Sequence, residues 1–226
     1  MKNVSRLVLL VLALTAVVTS AEATTLSVWW TSTQNFSNVQ IVGYGTRNFG
    51  LGVATGIENY GTGSARNLGQ VWCVDLLNYS GDTWSVTRHT DGTSWSSNSP
   101  YFAGEDDYRI GDWTKVAWLA NGIGSGLAGH VDKSIAFNCA LYYWAYGSNL
   151  VESSMTDDLS ATQLSYYTGY RDAAIGQSST NIEWFDNDAS GGYYQDFVND
   201  VPEPSSLLLV GSVLTAGALG LWRRRR

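Results

Sequence analysis

Two apolar segments, one at each end of the chain, bound everything that can fold between them. Ser205 to Trp222 is a run of 18 residues without one charged side chain. As a helix rising about 1.5 Å per residue it would reach about 27 Å. That just spans a hydrocarbon core of about 30 Å when the ends snorkel. Arg223, Arg224, Arg225 and Arg226 follow at once, and four adjacent cations hold that end in the cytoplasm. Gly211, Gly217 and Gly220, with Ala216 and Ala218, give this span small faces suited to packing against another membrane helix. At the other end Lys2 and Arg6 precede an apolar stretch, Leu7 to Val18, broken only by Thr15, and then Ala21-Glu22-Ala23. A basic start, an apolar centre and small residues at the cutting position predict a secretory signal cleaved after Ala23. The chain therefore divides into a signal (1–23), an exported domain (24–201) and a C-terminal tail (202–226), with both ends cytoplasmic before processing.

The tail opens with Val201-Pro202-Glu203-Pro204-Ser205. Two prolines in three residues can neither continue a helix nor donate to a sheet, so the segment stays extended and open to a protease at the membrane surface. Pro202, Glu203 and Pro204, then the span, then Arg223 to Arg226, together resemble the PEP-CTERM sorting signal of exopolysaccharide-producing Gram-negative bacteria. The resemblance covers about the last 25 residues. It implies processing by an exosortase, an integral membrane cysteine-protease-like transpeptidase that cuts near the motif and releases or re-anchors the domain. The implied partners are thus signal peptidase, exosortase and the inner membrane, and the implied destination is the cell surface or the extracellular matrix of a biofilm.

Of 13 basic and 20 acidic residues, six basic and two acidic ones lie in the two ends, leaving 7 and 18 in the exported domain and a net charge of −11 there. That excludes nucleic acid and anionic head groups as natural partners and is compatible with cations or neutral glycans. Lys115 and Lys133 are the domain's only lysines, whereas Trp, Tyr, Ser, Thr, Asn and Gly abound, as in secreted β-rich domains and glycan-handling surfaces. About 178 residues suffice for one domain with a sizeable core.

Loose alternation at Leu26, Val28 and Trp30, then at Val39 and Ile41, predicts two strands joined through Gln34 to Asn38. The glycine-punctuated stretch from Gly43 to Gly63 reads as further hairpins or loops. Val71 to Leu76, a turn over Asn78 to Asp82, and Thr83 to Arg88 read as a hairpin. Asp112 is placed to cap a helix in which Trp113, Val116, Ala117 and Ala120 recur until Asn121-Gly122. Asp132 is placed to cap a second, with Ile135, Ala136, Cys139, Ala140 and Tyr143 as its apolar face, ending near Gly147. A third, weaker helix spans about Ser160 to Ala174, and closing strands are expected over Asn181 to Phe185 and Tyr193 to Val198 around a turn at Asp186 to Gly192. The predicted class is α+β: a β-rich sandwich or barrel-like domain with a central helical pair, plus an N-terminal signal helix and a C-terminal transmembrane helix.

Cys73 and Cys139 lie inside the exported domain, and in an oxidising compartment an even pair favours a disulfide. Such a bridge would close a loop of about 65 residues, worth about 4 kcal/mol in the chain-entropy account. A second resemblance begins at the same cysteine. Trp72-Cys73-Val74-Asp75, Ala117-Trp118-Leu119 and Ala136-Phe137-Asn138-Cys139-Ala140-Leu141-Tyr142 are similar to the thioester-type domains of bacterial surface proteins. There an aromatic-Cys-x-acidic motif meets an Ala-x-Gln-x-Ala-x-Trp helix, and Gln195-Asp196 near the last strand is a further likeness. That resemblance implies an internal Cys–Gln thioester for covalent capture. Here Asn138 stands at the Gln position and Tyr142 at the Trp position. The carboxamide is one methylene short, and Cys139 offers Cys73 another partner.

Asp186-Asn187-Asp188-Ala189-Ser190-Gly191 spaces oxygen donors like the first half of a calcium loop. Phe197 occupies the twelfth position, where a bidentate acid belongs, so an Asx-rich turn is the leading reading and weak Ca²⁺ binding by Asp186, Asp188 and Ser190 the alternative. Glu105-Asp106-Asp107 with Asp112 could be drawn as a glycosidase pair, but a solvated acidic loop is the commoner meaning. His89 and His130 are far apart, and no Gly-x-Ser-x-Gly, His-Glu-x-x-His or phosphate-binding glycine loop occurs. Trp29, Trp30, Trp84, Trp95 and Trp184 offer rings for sugar stacking. Trp95, set among Ser94, Ser96, Ser97 and Asn98, is the best surface candidate, the others being more often core. The expected function is non-enzymatic, without a required cofactor: adhesion or exopolysaccharide interaction at the surface. The alternatives are a thioester-type covalent adhesin and a secreted glycan hydrolase.

Overall fold

The computed structural model describes residues 22–76, 83–90, 111–127, 129–180, 182–186 and 197–199. Six strands form a closed antiparallel barrel: β1 (Glu22–Ile41), β2 (Gly45–Glu58), β3 (Arg66–Cys73), β4 (Thr83–His89), β5 (Glu183–Asp186) and β6 (Phe197–Asn199). Around the barrel they run β1-β2-β3-β6-β5-β4, with β4 closing back on β1. Among the described residues four α-helices follow β4 in sequence: α1 (Trp113–Gly122), α2 (Val131–Tyr146), α3 (Glu152–Thr156) and α4 (Ala161–Ala173). The β-rich, barrel-like expectation is met as a closed barrel with helices. The expected signal segment lies outside the described residues except for Glu22 and Ala23, which open β1. The expected transmembrane span lies wholly outside them, and among the described residues no helix is long and apolar enough to cross a membrane.

β1 replaces the two strands read from the sequence. The expected turn at Gln34 to Asn38 is instead part of a continuous strand with two irregularities, where Thr31 and Gln34 face Val53 and Leu51, and where Phe36 and Val39 face Phe49 and Arg47. Each inserts one extra residue, which bends the strand and increases its twist so that it can wrap the barrel. The second insertion also changes which parity is buried. Leu26, Val28 and Phe36 are buried before it, and Val39 and Ile41 after it. Asn38 takes the left-handed conformation (φ 57°), and its N–H donates to Asn48 Oδ1 at 2.7 Å. A short polar side chain tolerates that backbone. The stretch expected to be hairpins or loops, Gly43 to Gly63, is largely the long strand β2.

The expected hairpin of Val71 to Leu76 with Thr83 to Arg88 is not formed. β3 pairs with β2 and β6, and β4 with β1 and β5. The last two strands insert between them, so the short connection joins strands that never share a ladder. The expected closing strands are present as Glu183–Asp186 and Phe197–Asn199, the rest of the second one and most of the turn between them lying outside the described residues.

Asp112 caps α1 as read from the sequence, its side chain accepting from Thr114 N–H at 3.1 Å, and Trp113, Val116, Ala117, Leu119 and Ala120 are buried. α4 begins at a capping box in which Ser160 and Gln163 satisfy each other's backbone N–H. α2 differs from expectation twice. His130, not Asp132, precedes its first turn and makes no side-chain cap bond. Asp132 lies within the turn and accepts from Gln163 Nε2 of α4 at 2.9 Å. Moreover, α2 is buried on most sides rather than along one stripe, because it packs against β2, α1 and α4 together. Ser134, Phe137, Asn138, Leu141, Tyr142, Ala145 and Tyr146 are covered, while Tyr143 is only partly so. Trp72 of β3 meets Phe137 edge-on at 4.6 Å, and Phe49 of β2 meets Tyr142 at 5.9 Å. The segment after α2 ties the helices to the far half of β1: Val42 N–H donates to Asn149 O, Val151 N–H to Gln40 O, and Ser37 N–H to Asp158 Oδ2 at 2.6 Å.

Candidate functional site

The strongest polar constellation among the described residues lies where β2 ends and β3, β5 and β1 begin. Glu58 pairs across the ladder with Arg66, Glu183 with Asn199, and Glu22 with Arg88. Arg66 Nε donates to Glu58 Oε2 at 2.6 Å, and its Nη1 to Glu183 at 2.8 and 3.0 Å. Arg88 reaches Glu58 at 3.2 Å and Glu22 at 2.5 Å. Glu58 and Glu183 are buried, whereas Glu22 is exposed. Burial by itself would lower the Arg66 pKa, but its bonds to Glu183 and then Glu58 outweigh that and raise it. Buried carboxylates survive only when hydrogen-bonded and paired, and here two guanidinium groups do both.

Two buried glutamates invite comparison with a glycoside hydrolase. A general acid needs a carboxyl in an apolar pocket. These are consumed as acceptors of guanidinium N–H groups, so the cluster reads as a strut across the strand ends. It was missed in the sequence, although Glu58 and Arg66 flanking an Asn-Tyr-Gly-Thr-Gly turn was the available signal.

The second constellation surrounds Cys73. Its thiol donates to Asp75 O at 3.1 Å. Tyr146 Oη accepts from Leu76 N–H at 2.9 Å and donates to Asp75 Oδ1 at 3.4 Å. No disulfide joins Cys73 and Cys139, contrary to the sequence expectation. Both are fully buried, and the Tyr142 hydroxyl stands beside Cys73 and within electrostatic reach of Cys139. Burial, then Cys73, pushes the Tyr142 pKa well up, and burial does the same to the Cys139 thiol. Such a thiol is an inert core group rather than a nucleophile. Asn138 is buried on the same helix, and its Nδ2 donates one turn back to Ser134 O at 3.1 Å. The carboxamide and the Cys73 thiol are thus each engaged with a backbone carbonyl.

Other predicted residues scatter. Asp186, the first proposed calcium donor, is buried at the end of β5 with its carboxylate 3.7 Å from His89 Nε2. Asp188 and Ser190 lie outside the described residues, as do Trp95, Glu105 to Asp107, Pro202 to Pro204 and Arg223 to Arg226. No group of three metal-ligating side chains occurs among the described residues. Asp112 is taken by its cap and by Lys115. Trp184 is buried against Trp113, with ring centroids 4.7 Å apart. Trp30 packs on the core, and the Trp84 side chain is not among the described ones. Trp29 alone of the described tryptophans is exposed, against the expectation that it is core. Compared with protein-family models, curated proteins and solved structures, the chain matches none.

Proposed function

We propose that this is an exported, exosortase-processed protein of the cell surface or extracellular matrix, acting without catalysis by adhesion or interaction with exopolysaccharide. One observation carries the reading: Pro202-Glu203-Pro204, an uncharged span and Arg223 to Arg226 stand in that order at the C-terminus. The N-terminal signal supports the same route. A barrel whose two buried glutamates, Glu58 and Glu183, are bound by guanidinium groups, beside aromatic and hydroxyl side chains on its outside, suits a binding module. Cleavage after Ala23 would remove Glu22 and leave Thr24 as the first residue of β1.

The test is expression of the full chain in an exosortase-bearing host and in its exosortase-deleted derivative. The expected result is loss of the C-terminal span and appearance of the domain at the surface or in the medium only in the former. Changing Pro202, Glu203 and Pro204 together to alanine should leave the uncut chain in the inner membrane. Equal processing in both hosts would refute the reading.

A further inference from the structure

Trp29 and Tyr60 form an exposed aromatic pair on the outside of the barrel. Their ring centroids are 5.1 Å apart at 74°, one ring edge-on to the other. Trp29 is 39% exposed and Tyr60 57%, so neither ring is spent on the core. From this geometry, and resting on the exopolysaccharide reading above, we infer that the pair is a stacking platform for a neutral glycan.

Three features support a built platform rather than two stray rings. Tyr60 sits in the turn between β2 and β3, and Asn59 ties that turn to β1. Asn59 N–H donates to Thr25 O at 2.9 Å, and Asn59 Oδ1 accepts from Thr24 Oγ1 at 2.8 Å and from Thr25 N–H at 3.4 Å. Asn59 holds the left-handed conformation (φ 54°) to do so. Thr62 closes the turn by donating from both N–H and Oγ1 to Asn59 O. The rings are therefore held before any ligand arrives, which lowers the ordering cost of binding.

The surroundings then select the ligand. Trp29 faces Thr55 across the ladder, and Thr55 faces Gln70. Thr31 and Thr33 continue the same strand and are exposed. The three threonines carry hydroxyls and no charge, the Gln70 amide donates to Ser134 Oγ of α2, and Glu58 of β2 is bound by Arg66 of β3 and Arg88 of β4. Aromatic faces pack on sugar C–H surfaces, and the hydroxyls supply hydrogen-bond partners for sugar O–H groups. The exported domain's net charge of −11 repels a polyuronate or sulfated polymer. A neutral hexose polymer fits both conditions.

The test uses the full chain purified in lauryldimethylamine oxide, a detergent without sugar. Calorimetric titration is carried out with cellohexaose, laminarihexaose and isomaltohexaose, with an alginate hexamer as the charged control and with exopolysaccharide extracted from the expressing host. At least one neutral hexamer should bind, and alginate should not bind more tightly. Trp29→Ala and Tyr60→Ala should each weaken binding roughly tenfold, equal to about 1.4 kcal/mol. Trp29→Phe should stay within about threefold, and all variants should keep the wild-type melting temperature within a few degrees. Asn59→Gly keeps the turn backbone and its N–H bond to Thr25 O but removes the side-chain bonds to Thr24 and Thr25, and should fall between wild type and Tyr60→Ala. Glycan binding unchanged in Trp29→Ala and Tyr60→Ala would overturn the platform and leave the adhesion reading standing. Loss of self-association instead of glycan binding in those variants would assign the face to a second copy and also overturn it. Binding to neither the neutral hexamers nor the extracted polysaccharide would overturn both.

Discussion

Replacing Arg66 with methionine strips two buried carboxylates of the cation they share. Glu183 would keep only Asn199 Nδ2 at 3.5 Å, while Glu58 would keep Arg88 at 3.2 Å. Removing one member of a buried pair costs about 3–5 kcal/mol, because the remaining charge is stranded. The lower end applies, since the Arg66 side chain is itself 35% exposed and one glutamate keeps a partner. For a domain of this size, about 3 kcal/mol corresponds to a fall of about 6–12 °C in Tm. Urea and thermal unfolding of the protein, followed by tryptophan fluorescence, would measure it. The triple change Arg66→Met, Glu58→Gln, Glu183→Gln should recover much of the loss, because replacing a whole buried ion group is often close to neutral. High salt should change the wild-type value little, as buried pairs are weakly screened. An Arg66→Met variant within about 0.5 kcal/mol of wild type, the scale of an ordinary surface substitution, would refute the account. So would a triple variant no more stable than the single one.

Gly111→Ala should destabilise by at least about 2 kcal/mol, in the range for overpacking. A Cβ there would lie 1.8 Å from Trp144 O and 2.7 Å from Ala145 O, which are backbone atoms on α2, and circular-dichroism melts would register the loss. Asp112→Ala should cost about 1 kcal/mol at neutral pH as a lost helix cap. Burial would raise the Asp112 pKa, but hydrogen bonds from Lys115 and Thr114 lower it overall. Its contribution is therefore present above the ordinary aspartate range and lost as the pH falls through the lowered value. The gap between wild type and variant should shrink correspondingly in acid, as read from melts across the acid range. Both thiols should resist a water-soluble thiol reagent in the folded protein and react on unfolding, with the intact mass unchanged by reduction. A mass about 2 Da below that of the reduced chain would show a disulfide and refute the core-thiol assignment.

Local signals in the sequence were reliable where one short stretch decides the outcome. Asp112 before an apolar periodicity, and Ser160 three residues ahead of Gln163, specify caps that need no distant partner. The second helix was found, but its covered surface was underestimated, because Ser134, Asn138 and Tyr142 are buried only once α4 and β2 lie on either side. Strand pairing was legible least. Val71 to Leu76 and Thr83 to Arg88 have the look of a hairpin, yet each takes a partner from the far end of the barrel sequence, β3 from Phe197 and Val198 and β4 from Trp184 to Asp186. Asn38 shows the same limit: an Asn with polar neighbours reads as a turn, whereas in the barrel it supplies an inserted residue in a continuing strand. Of the candidate sites, the Glu58–Arg66 pairing was within reach of cross-strand reasoning, but the Trp29–Tyr60 contact required the register of β1 against β2 and the Asn59 tether.

The strand order gives the barrel a seam, and the seam is fastened by Phe197–Asn199, the last of the described residues. Under the export proposed above, β3 and β5 would each lack a neighbour until Phe197–Asn199 had crossed the membrane, and the chain would travel with open edges exposed to other chains. Only Asp200 and Val201 separate Asn199 from Pro202, a reach of about 11 Å at most when extended. An enzyme cutting at the motif would therefore work next to the clasp. A cut only a few residues upstream would open the barrel itself, so under that proposal release from the membrane and integrity of the barrel would depend on the same narrow stretch of chain.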